Sequence, residues 1–194
     1  TQGYPAVCLT ASRMKNGYMA DGTTRYTSNG ESVYHFGGIS SFGEYTVISE
    51  ESAVPIDEDI PLDKAALVGC SVTTGVCAVT NTAEVRAGSS VAVFGVGGIG
   101  LNVVQGSVLC GAEKIIAVDP VISKLKLAMQ FGATHTVNAG ESDPVSEIQA
   151  LTEGLGADYA FESIGTESTY IQSVQSIRTR GKAIWIGAPP RAVS

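Results

Sequence analysis

The second half of the chain alternates short apolar runs with longer mixed segments. Residues 91–94, Val-Ala-Val-Phe, are continuously apolar, as is typical of a strand buried on both faces of a parallel sheet. Strands separated by helices of ordinary length predict right-handed βαβ crossovers and a doubly wound α/β sheet. The predicted strands are 91–94, 114–118, 135–137, 159–161 and 183–186, and the predicted helices are 99–109, 121–131, 143–152 and 168–177.

The first half of the chain has a weaker pattern. To about Val54 it is rich in Gly, Ser, Thr and Tyr, which predicts short strands and loops, with one half-buried strand at 44–48 where polar and apolar residues alternate. An acidic segment containing Pro61 then predicts the start of a helix through 65–68. A second apolar segment continues past Gly75 to Ala83.

Composition and charge narrow the classes of partner. A chain of 194 residues with 44% hydrophobic residues can hold one complete domain and part of a second. A net charge of −7 with only 12 Lys and Arg argues against a nucleic acid or an anionic membrane as the partner. No apolar run is expected to approach the length of a membrane span. Four scattered cysteines without a CxxC pair favour a reducing cytoplasm.

A glycine-rich segment lies between the first predicted strand of the sheet and its first helix. Glycines at such a junction let the backbone turn sharply and approach a pyrophosphate at the helix N-terminus. Asp119 closes the next strand, where an acidic side chain can meet a ribose. This context predicts a Rossmann dinucleotide site. The glycine loop comprises Gly95, Val96, Gly97, Gly98, Ile99 and Gly100.

Asp119 also predicts which nucleotide binds. A carboxylate accepts hydrogen bonds from both ribose hydroxyls but repels a 2′-phosphate. The next residue is Pro120 rather than an arginine that could offset the repulsion. The sequence therefore favours NAD over NADP. Lys124, one turn into the following helix, could reach the adenosine ribose or could be an ordinary solvated lysine.

Several motifs in order resemble the zinc-dependent medium-chain alcohol dehydrogenases, in the branch that contains the liver-type and formaldehyde enzymes. The resemblance covers essentially the whole chain and implies a Rossmann domain preceded by a remnant of a β-rich, GroES-like catalytic domain. The remnant of the catalytic domain is expected to comprise residues 1–70, and the Rossmann domain residues 71–194. The matching segments are 21–26, 35–36, 42–47, 69–75, 95–100, 161–165 and 186–190.

The resemblance also implies roles for individual residues. A cysteine in an apolar helix is usually an inert core residue, but Cys70 matches a catalytic-zinc ligand, and Cys8 matches the last of four structural-zinc cysteines. Because the partners of Cys8 would lie upstream of Thr1, it is expected to be a free thiol. Lys124 matches a ribose-binding lysine and Thr74 a residue near the nicotinamide. Backbone groups of Ile186, Gly187 and Ala188 match a segment that bonds the carboxamide.

The function implied for the full-length protein is hydride transfer between an alcohol, or an aldehyde adduct, and NAD with a catalytic zinc. The other zinc ligands, the proton relay and a sixth strand are expected outside this chain, which alone would be inactive. The full-length enzyme is expected to be a cytoplasmic homo-oligomer. Two alternatives stay open: a non-catalytic NAD-binding module, and a zinc-free quinone or enoyl reductase. Cys70 and the 21–26 segment argue against the latter.

Overall fold

A computed structural model describes residues 17–19, 21–36, 39–48, 50 and 53–189. It divides into two compact units, Thr1–Asp59 and Ile60–Ser194. The division does not test the expected domain boundary at residue 70, which stays a prediction.

The first unit contains an antiparallel hairpin of β1 (Tyr26–Ser28) and β2 (Glu31–Val33). Asn29 and Gly30 connect the strands with φ values of 52° and 83°. Positive φ at both central residues matches the right-handed twist of a hairpin, and Asn-Gly tolerates it best. His35 follows the hairpin and is buried, and its Nε2 accepts a hydrogen bond from the backbone N–H of Arg25 at 3.1 Å. In the described structure His35 therefore supports the backbone next to the hairpin.

The predicted strand at 44–48 is wrong. The described residues of this segment have irregular backbone, and the side chains of Tyr45 and Val47 are exposed. Alternation alone does not make a strand, because the backbone N–H and C=O groups also need a neighbouring strand.

The second unit begins with a continuous helical stretch, Leu62–Ala83. It consists of α1 (Leu62–Leu67), a π-helical turn (Val68–Val72), α2 (Thr73–Cys77) and a second π-helical segment (Ala78–Ala83). Its 22 residues are long and apolar enough to cross a membrane by length and composition alone, which the sequence analysis did not anticipate. A helix packed in a protein core passes the same test, but here 17% of the apolar window is buried. Gly75, Ala78 and Val79 are among the buried residues of the stretch.

Five parallel strands follow, in the order β5-β4-β3-β6-β7. The predicted doubly wound sheet is confirmed. The strands are β3 (Ser90–Phe94), β4 (Lys114–Asp119), β5 (His135–Asn138), β6 (Ala157–Glu162) and β7 (Ile177–Trp185). The helices between them are α3 (Gly98–Leu109), α4 (Ile122–Gln130), α5 (Pro144–Leu151) and α6 (Glu167–Gln175).

The sheet is buried on both faces. In β3, Val91 and Val93 join a cluster with residues of α3 and α4, whereas Ala92 and Phe94 join a second cluster that includes Ile148 of α5. Successive side chains of a strand point to opposite faces, so a strand covered on both sides must be apolar throughout.

The last strand begins six residues earlier than predicted. The prediction continued the preceding helix to 177 and started the strand at 183, but Ile177–Trp185 is one strand with an irregularity in its pairing to β6. Residues 178–180, Arg-Thr-Arg, are exposed at this sheet edge, so they carry no apolar signal.

Candidate nucleotide-binding site

The strand order reverses between β3 and β6. From β3 the chain proceeds to β4 and β5 on one side, then returns to place β6 and β7 on the other. The helices that follow β3 and β6 therefore diverge at their carboxyl ends and leave a crevice, which is the usual ligand site of open α/β sheets. The predicted glycine loop follows β3 at this point.

The glycine loop turns sharply out of β3. Gly95 has φ 82°, and its N–H donates to the carbonyl of Val118 at 2.8 Å, which holds the loop against the end of β4. A Cβ on Gly100 would overlap the carbonyl oxygen of Gly95, so helix α3 can pack this closely only without a side chain there. These two glycines are required by the fold itself.

Gly97 is different. It is the N-cap of α3 with φ −78°, an ordinary value, and a Cβ built on it meets nothing within 4 Å. No feature of the described structure therefore requires a glycine at position 97. The first N–H groups of α3 also lack acceptors within the helix. A site where a side chain would fill only open space beside free N–H groups fits the close approach of a phosphate.

Asp119 lies at the end of β4 beside this loop, as predicted. Its side chain is 4% exposed, and its oxygens accept hydrogen bonds from the N–H of Val96 at 3.2 Å and of Val121 at 2.9 Å. A carboxylate has about four acceptor positions, so each oxygen retains capacity for another donor. The carboxyl group is thus held rigidly next to the loop and places a fixed negative charge there.

Lys124 points back at Asp119 from α4. Its ammonium nitrogen lies 3.5 Å from Oδ2, and its side chain is 48% exposed. A half-exposed ion pair of this kind contributes little to stability, so the ammonium is free to turn toward a ligand at modest cost. The structure therefore brings together Asp119, Lys124 and the glycine loop.

Ser163 and Ile164, whose roles were not evident from the sequence alone, support the glycine loop. The Ser163 hydroxyl lies 2.7 Å from the carbonyl oxygen of Gly95 and 3.1 Å from that of Phe94, within hydrogen-bonding distance of both. A Cβ on Gly95 would overlap the Ile164 side chain. The sequence indicated Ser163 and Ile164 through the matched 161–165 segment, in which these two residues directly follow β6.

Residues Ile186, Gly187 and Ala188 leave the end of β7 on the same edge of the sheet. The N–H groups of Ile186 and Gly187 donate to the carbonyl of Glu162 at 2.8 and 3.0 Å. The Tyr170 hydroxyl donates to the Gly187 carbonyl at 2.5 Å. Burial raises the pKa of Tyr170 and the Glu162 carboxylate raises it further, so this phenol keeps its proton and remains a donor.

Thr74 and Cys70 lie on the helical stretch that crosses the start of α3. Ser71, between them in sequence, accepts a hydrogen bond from Asn102 of α3 at 3.2 Å. A Cβ on Gly75 would lie 2.6 Å from the Ile99 carbonyl, so the two helices touch there. Thr74 is half-buried at this crossing, whereas Cys70 is exposed.

The described residues do not form a complete zinc site. Among them, no three His, Cys, Asp or Glu side chains converge on one point. Cys70 is a single candidate ligand, and a catalytic zinc needs three protein ligands. Cys8 lies outside the described residues. Cys77 and Cys110 are half-buried.

Comparison with known proteins places this geometry in a family. The model of the family described as zinc-binding dehydrogenase matches residues 98–194. An S-(hydroxymethyl)glutathione dehydrogenase of Synechocystis is 44% identical over 88% of this chain and 47% of its own length. The chain thus spans about half the length of the curated relatives it matches.

Solved structures agree with the sequence relatives. The alcohol dehydrogenase zinc-binding domain protein from Burkholderia ambifaria superposes with a TM-score of 0.91 at 38% identity, covering 100% of this chain and 53% of that one. The benzyl alcohol dehydrogenase from Acinetobacter calcoaceticus gives 0.81 at 36% identity, covering 87% and 48%. The chain therefore belongs to the zinc-binding dehydrogenases, the family of the zinc-dependent medium-chain alcohol dehydrogenases.

Proposed function

We propose that this chain is the NAD-binding part of an alcohol dehydrogenase that transfers a hydride between an alcohol, or an aldehyde adduct, and NAD. The family implies NAD and zinc as cofactors. The observation that carries the proposal is the pairing of Gly97, whose missing side chain leaves open space at the α3 N-terminus, with the rigid carboxylate of Asp119. Two relatives are named as dehydrogenases of S-(hydroxymethyl)glutathione and of benzyl alcohol, which supports an aldehyde adduct or an alcohol as the substrate here.

The residues of this chain would bind and orient the cofactor. Backbone N–H groups of the glycine loop receive the pyrophosphate, and Asp119 and Lys124 receive the adenosine ribose. Residues 186–188 and Thr74 are proposed to border the opposite end of the crevice, where the nicotinamide would lie. NAD supplies the ring carbon that takes up or returns the hydride.

The remaining assignments extend the same proposal. Residues 1–70 are assigned to a GroES-like catalytic domain and 71–194 to the Rossmann domain. Cys70 is proposed as one ligand of the catalytic zinc and Cys8 as a remnant of a structural zinc site. Because the described residues do not complete either site, the other ligands are proposed to belong to the full-length enzyme. That enzyme is proposed to be a cytoplasmic homo-oligomer.

Titration of the purified chain with NAD and with NADP by calorimetry tests the proposal. We expect tighter binding of NAD, because a 2′-phosphate would lie against the buried carboxylate of Asp119. Asp119→Asn should narrow the difference between the two nucleotides. Glu153→Gln, which neutralises an 86%-exposed carboxyl group, is the matched control and should leave it unchanged. Equal or tighter binding of NADP to the unmodified chain would contradict the proposal.

A further inference from the structure

Glu162 is a buried carboxylate whose position is not explained by binding of the nucleotide phosphates. It is the last residue of β6 and is fully buried. One oxygen, Oε1, accepts three hydrogen bonds: from the N–H groups of Ile164 at 2.9 Å and Gly165 at 2.8 Å, and from the Thr169 hydroxyl at 2.7 Å. The other, Oε2, is buried without a hydrogen-bond partner among the described residues. A buried oxygen without a hydrogen-bond partner is unfavourable, so its presence calls for a reason.

The surroundings of Glu162 suggest that reason. Its carboxylate holds the turn at 163–165, and its backbone carbonyl holds Ile186 and Gly187. The two segments have no space between them: a Cβ on Gly165 would lie 2.5 Å from the Ala188 carbonyl, and one on Gly187 would lie 2.7 Å from Oε2. A shift of the Glu162 side chain would therefore move both segments together.

We propose that Glu162 is a positioning residue that sets the nicotinamide end of the crevice without touching the cofactor. This inference rests on the proposed function, in which residues 186–188 border the nicotinamide. Asp119 and Lys124, by contrast, flank the other end of the crevice, beyond β3 on the β4 side. Glu162 thus acts on one half of the bound dinucleotide only.

The contributions of the two halves of the dinucleotide to binding can be separated with ADP-ribose. This ligand retains the adenosine, pyrophosphate and second ribose of NAD but lacks the nicotinamide. Glu162→Gln keeps an oxygen for the three donors but removes the negative charge that strengthens those hydrogen bonds. It also replaces Oε2, which has no hydrogen-bond partner among the described residues, by an N–H₂ group. We expect NAD to bind about tenfold more weakly to this variant, and ADP-ribose to change by less than about twofold.

Two further variants and one further measurement make the experiment decisive. Thr169→Val removes one donor to Oε1 and should give a smaller loss in the same direction, which tests the inference even where Glu162→Gln does not fold. Glu153→Gln, the exposed control, should bind both ligands as the unmodified chain does. Thermal unfolding of each variant without ligand measures any general loss of stability.

The outcomes separate the two proposals. Selective weakening of NAD by Glu162→Gln, or by Thr169→Val, supports the positioning role. Equal weakening of NAD and ADP-ribose would mean that Glu162 only stabilises the fold, and unchanged binding of both would mean that it positions nothing; either result overturns the inference. Failure of the unmodified chain to bind NAD and ADP-ribose would instead refute the proposed function, and the inference with it.

Discussion

Two positions of one short loop carry glycine for different physical reasons. Gly100 is packed against the carbonyl of Gly95, whereas Gly97 borders open space with an ordinary backbone conformation. The sequence motif treats these positions alike. The structure assigns Gly100 to folding, and the proposed function assigns Gly97 to ligand approach. The two roles lead to opposite expectations for the same substitution.

Gly97→Ala should leave the free energy of unfolding within about 1 kcal/mol, since the entropy lost by a flexible glycine offsets the poorer N-cap. It should nevertheless weaken NAD binding, because the new methyl group occupies the space proposed for the pyrophosphate. Gly100→Ala is the matched variant and should lower stability by several kcal/mol through backbone overlap. Chemical denaturation and calorimetry measure both effects. Unchanged NAD binding by Gly97→Ala would contradict the assignment.

At the scale of elements, Asp158 ties together the amino ends of three strands. Its carboxylate accepts from the N–H and hydroxyl of Ser90 at 2.8 and 2.9 Å and pairs with Arg178. Burial alone would raise the pKa of Asp158, but the hydrogen bonds from Ser90 and Arg178 outweigh it and lower the pKa below its usual value of 3.8. The side chain is 23% exposed, so solvent screens the pair only in part.

The depressed pKa predicts a pH-dependent contribution to stability. A carboxyl group whose folded pKa is lowered stabilises the protein above its unfolded pKa, and the effect is lost as pH falls through the folded value. Asp158→Asn should therefore destabilise the chain by about 1–2 kcal/mol at neutral pH. The difference from the unmodified chain should shrink below roughly pH 4. Urea unfolding of both proteins between neutral and acid pH measures the difference in free energy of unfolding. A difference that persists or widens in acid would contradict the prediction.

Strand β7 is an edge of the sheet among the described residues. Its last residue, Trp185, is 58% exposed and lies beside Tyr170 of α6, 4.7 Å between ring centroids. An edge strand presents unpaired N–H and C=O groups, and with an exposed apolar side chain it favours pairing with another copy.

We therefore expect the isolated chain to self-associate or precipitate as its concentration rises. Trp185→Lys should reduce this tendency, because a charge at an edge opposes strand pairing. Sedimentation velocity at several concentrations measures both. A single monomeric species of the unmodified chain up to high micromolar concentration would show that the edge is protected.

At the scale of the whole molecule, the described residues form the crevice proposed for the nucleotide but include one candidate ligand for a catalytic metal. We expect NAD binding without stoichiometric zinc and without oxidation of alcohols, because one thiolate cannot supply the coordination that a catalytic zinc requires. Metal analysis after dialysis and an NADH absorbance assay with simple alcohols test this. One equivalent of retained zinc together with alcohol-dependent NADH formation would contradict it.

The order of strands and helices in the second unit was determined by the sequence itself. Continuous apolar runs such as Val91–Phe94 are typical of strands covered on both faces, and the glycine loop with Asp119 indicates the proposed nucleotide crevice by local backbone chemistry. These signals work because each depends on residues that are close in sequence.

Other features were decided only by tertiary structure. The irregular 44–48 segment and the early start of β7 depend on which strand lies alongside, and a neighbour distant in sequence leaves no local pattern. The buried Glu162 could not be distinguished from a surface glutamate until β6, α6 and the end of β7 were placed around it. Hydrogen-bond partners and packed neighbours are long-range properties, and for this reason the sequence identified the crevice but not the residues that shape it.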